Sequence, residues 1–234
     1  MTSLEARDKE LVPELTEIKT KSPLTEELLL RKTLLEQKMG LSNGRLRVPS
    51  ITDRACDTEK GLCVYNNMPS WGLKFPLSDF VQSLLQTLNI SLGQISGASW
   101  CYINSFEHLF TFFADKLMFC RVKKPTVNLF FHYYTFILDK EKSWLLCCKR
   151  RNLKLLKPIS KIADWKDTFF FLPPDNDDLD SQWRKAVNPS WNLKINIPGR
   201  RKLSEEEKKV VRVFYEISKG TFRTFPSFKL LYYY

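Results

Sequence analysis

The chain has little of what most catalytic and secreted-scaffold motifs are made from. Glycine occurs only 8 times in 234 residues and never in a phosphate-cradling loop, which excludes the nucleotide-binding designs built on one. The two histidines, His108 and His132, lie in apolar stretches, a poor supply for a nucleophile–histidine–acid site. Six cysteines (Cys56, Cys63, Cys101, Cys120, Cys147, Cys148) are too sparse for a disulfide framework; they predict reduced, buried thiols in an intracellular protein. The most apolar window, 100–120, is broken by Glu107, His108, Asp115 and Lys116. Ionised groups there cost roughly 2.5–3.5 kcal/mol each in hydrocarbon, so no membrane span is expected. The opening, MTSLEARDKE, is charged and is not a secretory signal. The expected location is intracellular, with nucleus and cytoplasm both open.

Metal chemistry is equally short of material. A transposase or integrase needs three carboxylates converging on two ions. The central stretch offers Asp79, Glu107, Asp115, Asp139, Glu141, Asp164 and Asp167, most of them at helix starts or in loops. Glu107 and Asp115 can share a helix face but lack a third partner. The Asp-Thr/Ser-Gly loop of an aspartic protease does not occur. Cys101, His108 and Cys120 come nearest to a zinc knuckle, at the wrong spacing. The expectation is therefore no metal, no cofactor, no small-molecule substrate and no catalytic residue, hence not an enzyme.

What the chain does have is aromatic and basic residues, unevenly placed. There are 17 Phe, 8 Tyr and 6 Trp, most of them between Leu62 and Leu172. The net charge is +11; residues 1–60 hold 11 basic and 11 acidic residues, so the remainder, with 26 basic against 15 acidic, carries all of it. A positive field of that kind favours a polyanionic partner.

Taken in order, residues 1–60 read as a charged helical appendage and linker. Thr25 to Met39 forms the helix, Thr25 its N-cap and Gly40 its stop, with Leu28, Leu29, Leu34 and Leu35 near one face. Residues 61–174 read as the principal domain. A short edge strand at Leu62 to Tyr65 precedes a helix capped by Ser78, with Phe80, Val81, Leu84, Leu85 and Leu88 on its apolar face and Asn89 at its end. A second, more apolar helix opens near Ser99 and runs to Leu117 and Met118. A third starts with Pro125 at N1. Tyr134 to Leu138 and Ser143 to Cys148 predict a hairpin across a charged loop, and Thr168 to Leu172 a third strand. The fold class expected is α+β: a three-helix layer followed by a small antiparallel three-stranded sheet, with flanking N- and C-terminal helices. In 175–234, an acidic loop (175–180) and tryptophan anchors Trp183 and Trp191 precede a capping-box helix from Ser204 to about Ser218. The ending LLYYY suggests truncation.

The candidate binding residues lie in one basic run. Lys140, Lys142, Lys149, Arg150, Arg151, Lys154, Lys157 and Lys161 face only Glu141, a composition able to neutralise phosphates without reading bases. Trp144 is the candidate for stacking on an unpaired base, or else a core residue. A second cluster, Arg200-Arg201-Lys202, fits the loose pattern of a nuclear-import signal.

The central stretch also resembles the plant gypsy-type transposon (transposase-like) domain of gag-like open reading frames in long-terminal-repeat retroelements. The resemblance rests on Gly72-Leu73-Lys74-Phe75-Pro76-Leu77 with Phe80, Leu84 and Leu85, then Leu88-Asn89-Ile90-Ser91, Gln94-Ile95 and Ser99-Trp100. It continues through Pro125-Thr126-Val127-Asn128-Leu129-Phe130 to Trp165-Lys166-Asp167 and Phe169-Phe170-Phe171. It implies a place in a mobile element and no catalytic residues. The sequence reading is a non-enzymatic gag-like structural module that self-associates or binds RNA or DNA non-specifically. The alternatives are a winged-helix-like DNA-binding domain and a non-functional transposon remnant.

Overall fold

The computed structural model describes residues 26–50, 52–139, 144–150, 155–156, 159, 162, 165–166, 168–173, 188, 191–192 and 194–220. These form a mixed α+β structure of five α-helices and two two-stranded antiparallel sheets. In chain order they are α1 (Glu26–Met39), β1 (Leu62–Tyr65), α2 (Asp79–Leu88), α3 (Gly97–Phe112), α4 (Val127–Tyr133), β2 (Tyr134–Leu138), β3 (Leu145–Lys149), β4 (Phe169–Leu172) and α5 (Glu205–Gly220). Among the described residues no helix is long and apolar enough to cross a membrane.

Among the described residues the three expected strands do not join in one sheet. The hairpin exists, β2 against β3 from Tyr134↔Lys149 to Leu138↔Leu145. Strand β4 instead pairs with β1, from Leu62↔Leu172 to Tyr65↔Phe169. Burial explains the choice. All four residues of β4 and all four of β1 are buried, whereas β3 is mostly half-exposed. A strand buried on both faces finds its partner in the interior. Gly61 permits the approach: it has φ +121°, and a Cβ there would lie 2.2 Å from the Leu172 carbonyl oxygen. The other side of β4 is met by Arg47, whose backbone N–H donates to Phe171 O at 2.7 Å and whose carbonyl oxygen accepts from Phe171 N at 2.9 Å.

The described part of the segment before residue 60 is thus built into the core. Leu28, Leu35, Met39 and Leu46 are buried in it, and Phe75 N donates to Met39 O at 2.9 Å. Of the expected α1 face, Leu28 and Leu35 point inward, while Leu29 and Leu34 stay exposed. Buried Glu36 accepts from Gly44 N at 3.1 Å and Leu46 N at 2.6 Å, with Lys32 3.0 Å away. The stretch expected to be loose linker is pinned by that carboxylate. Thr25 lies outside the described residues.

The central helices follow their caps. Ser78 Oγ accepts from Val81 N at 3.3 Å, and Asn89 closes α2 at φ +50°. Helix α3 starts two residues before the expected Ser99, because Ser96 takes the cap and accepts from Ser99 N at 3.3 Å. Its end at Phe112 leaves Leu117 and Met118 in the following turns. Pro125 is not N1 of α4: Thr126 is the N-cap, its hydroxyl accepting from Leu129 N at 3.2 Å. A hydroxyl that satisfies a free helical N–H outcompetes a ring that only fixes φ. Phe106 sits at the centre of the aromatic core, its ring 5.7 Å from Phe80, 5.6 Å from Phe110, 5.4 Å from Phe130 and 6.1 Å from Tyr134. Helix α3 also terminates the hairpin edge, Ser99 Oγ donating to Leu145 O at 3.0 Å and accepting from Cys147 N at 2.6 Å.

Candidate nucleic-acid interface

Of the expected basic run, Lys149 and Arg150, with Trp144 beside them, lie among the described residues. Lys140, Lys142, Arg151, Lys154, Lys157 and Lys161 lie outside the described residues, as do the loop 175–180 and Trp183. Lys149 turns back, its ammonium donating to the Leu156 carbonyl. Arg150 Nε donates to Phe131 O at 2.7 Å and Tyr134 O at 3.1 Å, holding the end of α4. Trp144 is a core residue, only 1% exposed. Its indole N–H donates to Tyr65 Oη at 3.2 Å, and the Lys166 ammonium sits 3.2 Å from its ring centroid. Trp165 and Trp191 pack edge-on at 6.1 and 5.5 Å. No face of that ring is open to a base, and Trp191 is an anchor as expected. Helix α4, with Leu129, Phe130, Phe131, His132 and Tyr133 all buried, presents no row of groove-reading side chains.

A different surface gathers basic groups. A cleft of about 540 Å³ opens between α4 and the start of α5, lined by His132, Arg200, Arg201, Lys202, Lys208 and Arg212 among others. Its walls are set by two linked caps. Ser204 Oγ accepts from Glu207 N at 3.2 Å, and Glu207 Oε2 accepts from Ser204 N at 2.9 Å. The other oxygen of Glu207 accepts from Thr126 Oγ1 at 2.6 Å, so the cap of α4 is tied to the cap of α5. Leu203, Val210 and Phe214 are buried, the Phe214 ring 5.4 Å from Phe110. With that face inward, Lys208 and Arg212, four residues apart, share the side that lines the cleft.

The charges here are mostly unopposed. Arg200 Nη2 lies 3.2 Å from His132 Nδ1. Burial pushes the His132 pKa down, and the charges of Arg200 and Arg150 push it further. Burial and Arg200 likewise lower Arg150, and Arg150 Nη2 is buried with no hydrogen-bond partner among the described residues. Arg201 reaches Asn128 Oδ1 at 3.4 Å and stands 5.9 Å from the Phe131 ring. Among the described residues, Arg200, Arg201, Lys202 and Arg212 make no ion pair. Lys208 does, with Glu205 at 2.5 Å, but both side chains are largely solvated, so the pair is worth little. Cations that outnumber the one carboxylate drawn to them, Glu205, suit an anion supplied from outside.

A second cleft of about 450 Å³ includes Asp79, Glu107, Lys123 and Lys124. Burial raises the Glu107 pKa; the Ser78 hydroxyl opposes the rise and the charge of Asp79 adds to it. Among the described residues no three His, Cys, Asp or Glu side chains gather as a metal site. Comparison with family models, curated proteins and solved structures returned no match.

The cleft was partly legible. The Arg200-Arg201-Lys202 run stands out in the sequence, but as an address signal. The spacing of Lys208 and Arg212 just after a capping box was the available clue to a shared face.

Proposed function

We propose that the chain is a non-enzymatic, gag-like structural module that holds nucleic acid by its phosphate backbone without reading sequence. The observation that carries this reading is the cleft beside α5, where Arg200, Arg201, Lys202, Lys208 and Arg212 converge with His132. Guanidinium and ammonium groups bind phosphates by charge and by N–H donation, releasing condensed counterions as they do. The net charge of +11 supplies the long-range attraction that brings a polyanion to this side.

The test is a salt series with the full chain against labelled oligonucleotides, single-stranded and duplex, of scrambled sequence. Affinity falls steeply with salt and is indifferent to sequence. In the double variant Arg200→Ala/Arg212→Ala the duplex salt slope becomes shallower by about 2, one for each lost phosphate contact. A slope unchanged in that variant, or no binding at low salt, overturns the reading.

A further inference from the structure

The geometry points to single-stranded nucleic acid as the ligand of this cleft, with Tyr215 as the platform on which a base stacks. This inference rests on the phosphate-binding reading above and narrows it.

Helix α5 carries the argument. Its rotation is fixed by Phe214, buried against Phe110 at 5.4 Å and Phe113 at 6.4 Å. Lys208, Arg212 and Tyr215 stand at i, i+4 and i+7, the spacing of one helical face. The first two line the cleft, and Tyr215 follows one turn beyond, 58% exposed. Along the helix the steps are roughly 6 Å and then 4.5 Å at 1.5 Å per residue. Each is on the order of one to two nucleotide rises of roughly 3.4 Å. A strand seated with phosphates on Lys208 and Arg212 therefore brings a base to the level of the Tyr215 ring. Glu216 is exposed beside it, but the next residue on a helix is turned about 100° away. Glu205 draws on Lys208 and Arg212 from the first turn of α5, at the end away from Tyr215.

An exposed phenol ring beside phosphate-binding cations adds little with a duplex, whose bases are stacked inside. A single strand offers open base faces, and an aromatic ring next to a basic groove is the arrangement that takes them. The ring is sequence-tolerant, because every base has such a face.

The experiment measures fluorescence anisotropy of the full chain at low salt with three probes of equal length: an oligothymidylate, an oligouridylate and a duplex. The proteins are the parent, Tyr215→Ala, Tyr215→Phe and Arg212→Ala. Tyr215→Ala weakens single-strand binding by about 5- to 150-fold, the loss of one stacked base, and leaves duplex binding within about 2-fold. Tyr215→Phe retains binding, since the ring and not the hydroxyl carries the contact. Arg212→Ala weakens all three probes. A larger loss for one homopolymer also supports the inference and says whether RNA or DNA is held. If Tyr215→Ala lowers duplex and single-strand binding alike, or changes neither while Arg212→Ala still acts, the single-strand inference is overturned and phosphate binding stands. If no probe binds the parent chain, both fall.

Discussion

At the scale of one residue, the strongest electrostatic commitment is Asp53. It is fully buried, yet Arg47 Nη2 donates to it at 2.9 Å and Ser50 N at 2.9 Å, with the Ser50 hydroxyl and Lys60 ammonium closing the set. Burial by itself raises a carboxyl pKa; here the bonds from Lys60, Ser50 and Arg47 win and hold it well below the usual range. The sign follows. A carboxyl whose folded pKa is depressed contributes stability that is complete above its unfolded value of about 3.9. That contribution drains away as pH falls through the lower folded value. Asp53→Asn leaves two cations without their counter-charge, and the expected loss is about 2–4 kcal/mol at neutral pH. Urea melts across pH check both parts: the difference between parent and variant narrows from about pH 4 downward. A difference constant with pH sinks the argument.

At the scale of elements, the Thr126–Glu207 contact joins two helices through their caps. Thr126 serves α4 with its acceptor lone pair and α5 with its hydroxyl proton, while Glu207 returns a cap to Ser204. Thr126→Val and Glu207→Gln should each cost about 1–2 kcal/mol, the range of a lost cap or charge-assisted bond. The double variant should cost less than their sum by about 1 kcal/mol, because the singles remove one shared bond. Thermal or urea melts of the four proteins read the cycle, and strict additivity would show that the caps act separately. The half of this device that is local was legible in the sequence: the Ser204–Glu207 box, the Ser78 cap and the Asn89 stop all follow from residue types a few positions apart. What escaped was non-local. Nothing near Thr126 announces Glu207, 81 positions away. Nothing in the FFFL of β4 says that its partner is LCVY rather than the nearer hairpin. Trp144 showed the same limit, since an indole beside a basic run reads equally as platform or core until its neighbours are known.

At the scale of the whole molecule, the division at residue 60 has physical consequences. Residues 1–60 read as a charged helical appendage and linker, yet α1 and the segment after it close one side of the core. Leu28, Leu35, Met39 and Leu46 are buried there, and Arg47 completes the far side of β4. Four buried side chains at about 1.5–3 kcal/mol each come to roughly 6–12 kcal/mol, comparable with the roughly 5–15 kcal/mol that holds a whole domain folded. A chain reduced to 61–234 should therefore lose its cooperative melt, with near-UV circular dichroism collapsing while helical signal persists. The milder Leu35→Ala should melt cooperatively at a stability lower by about 2–5 kcal/mol. Should 61–234 melt as sharply and as high as the full chain, the packing of α1 is an accessory to the core. The stake extends to the binding reading. Every residue that lines the cleft lies after residue 60, so failure of 61–234 to bind RNA or DNA would report lost structure, and only the full chain can test the cleft's own cations.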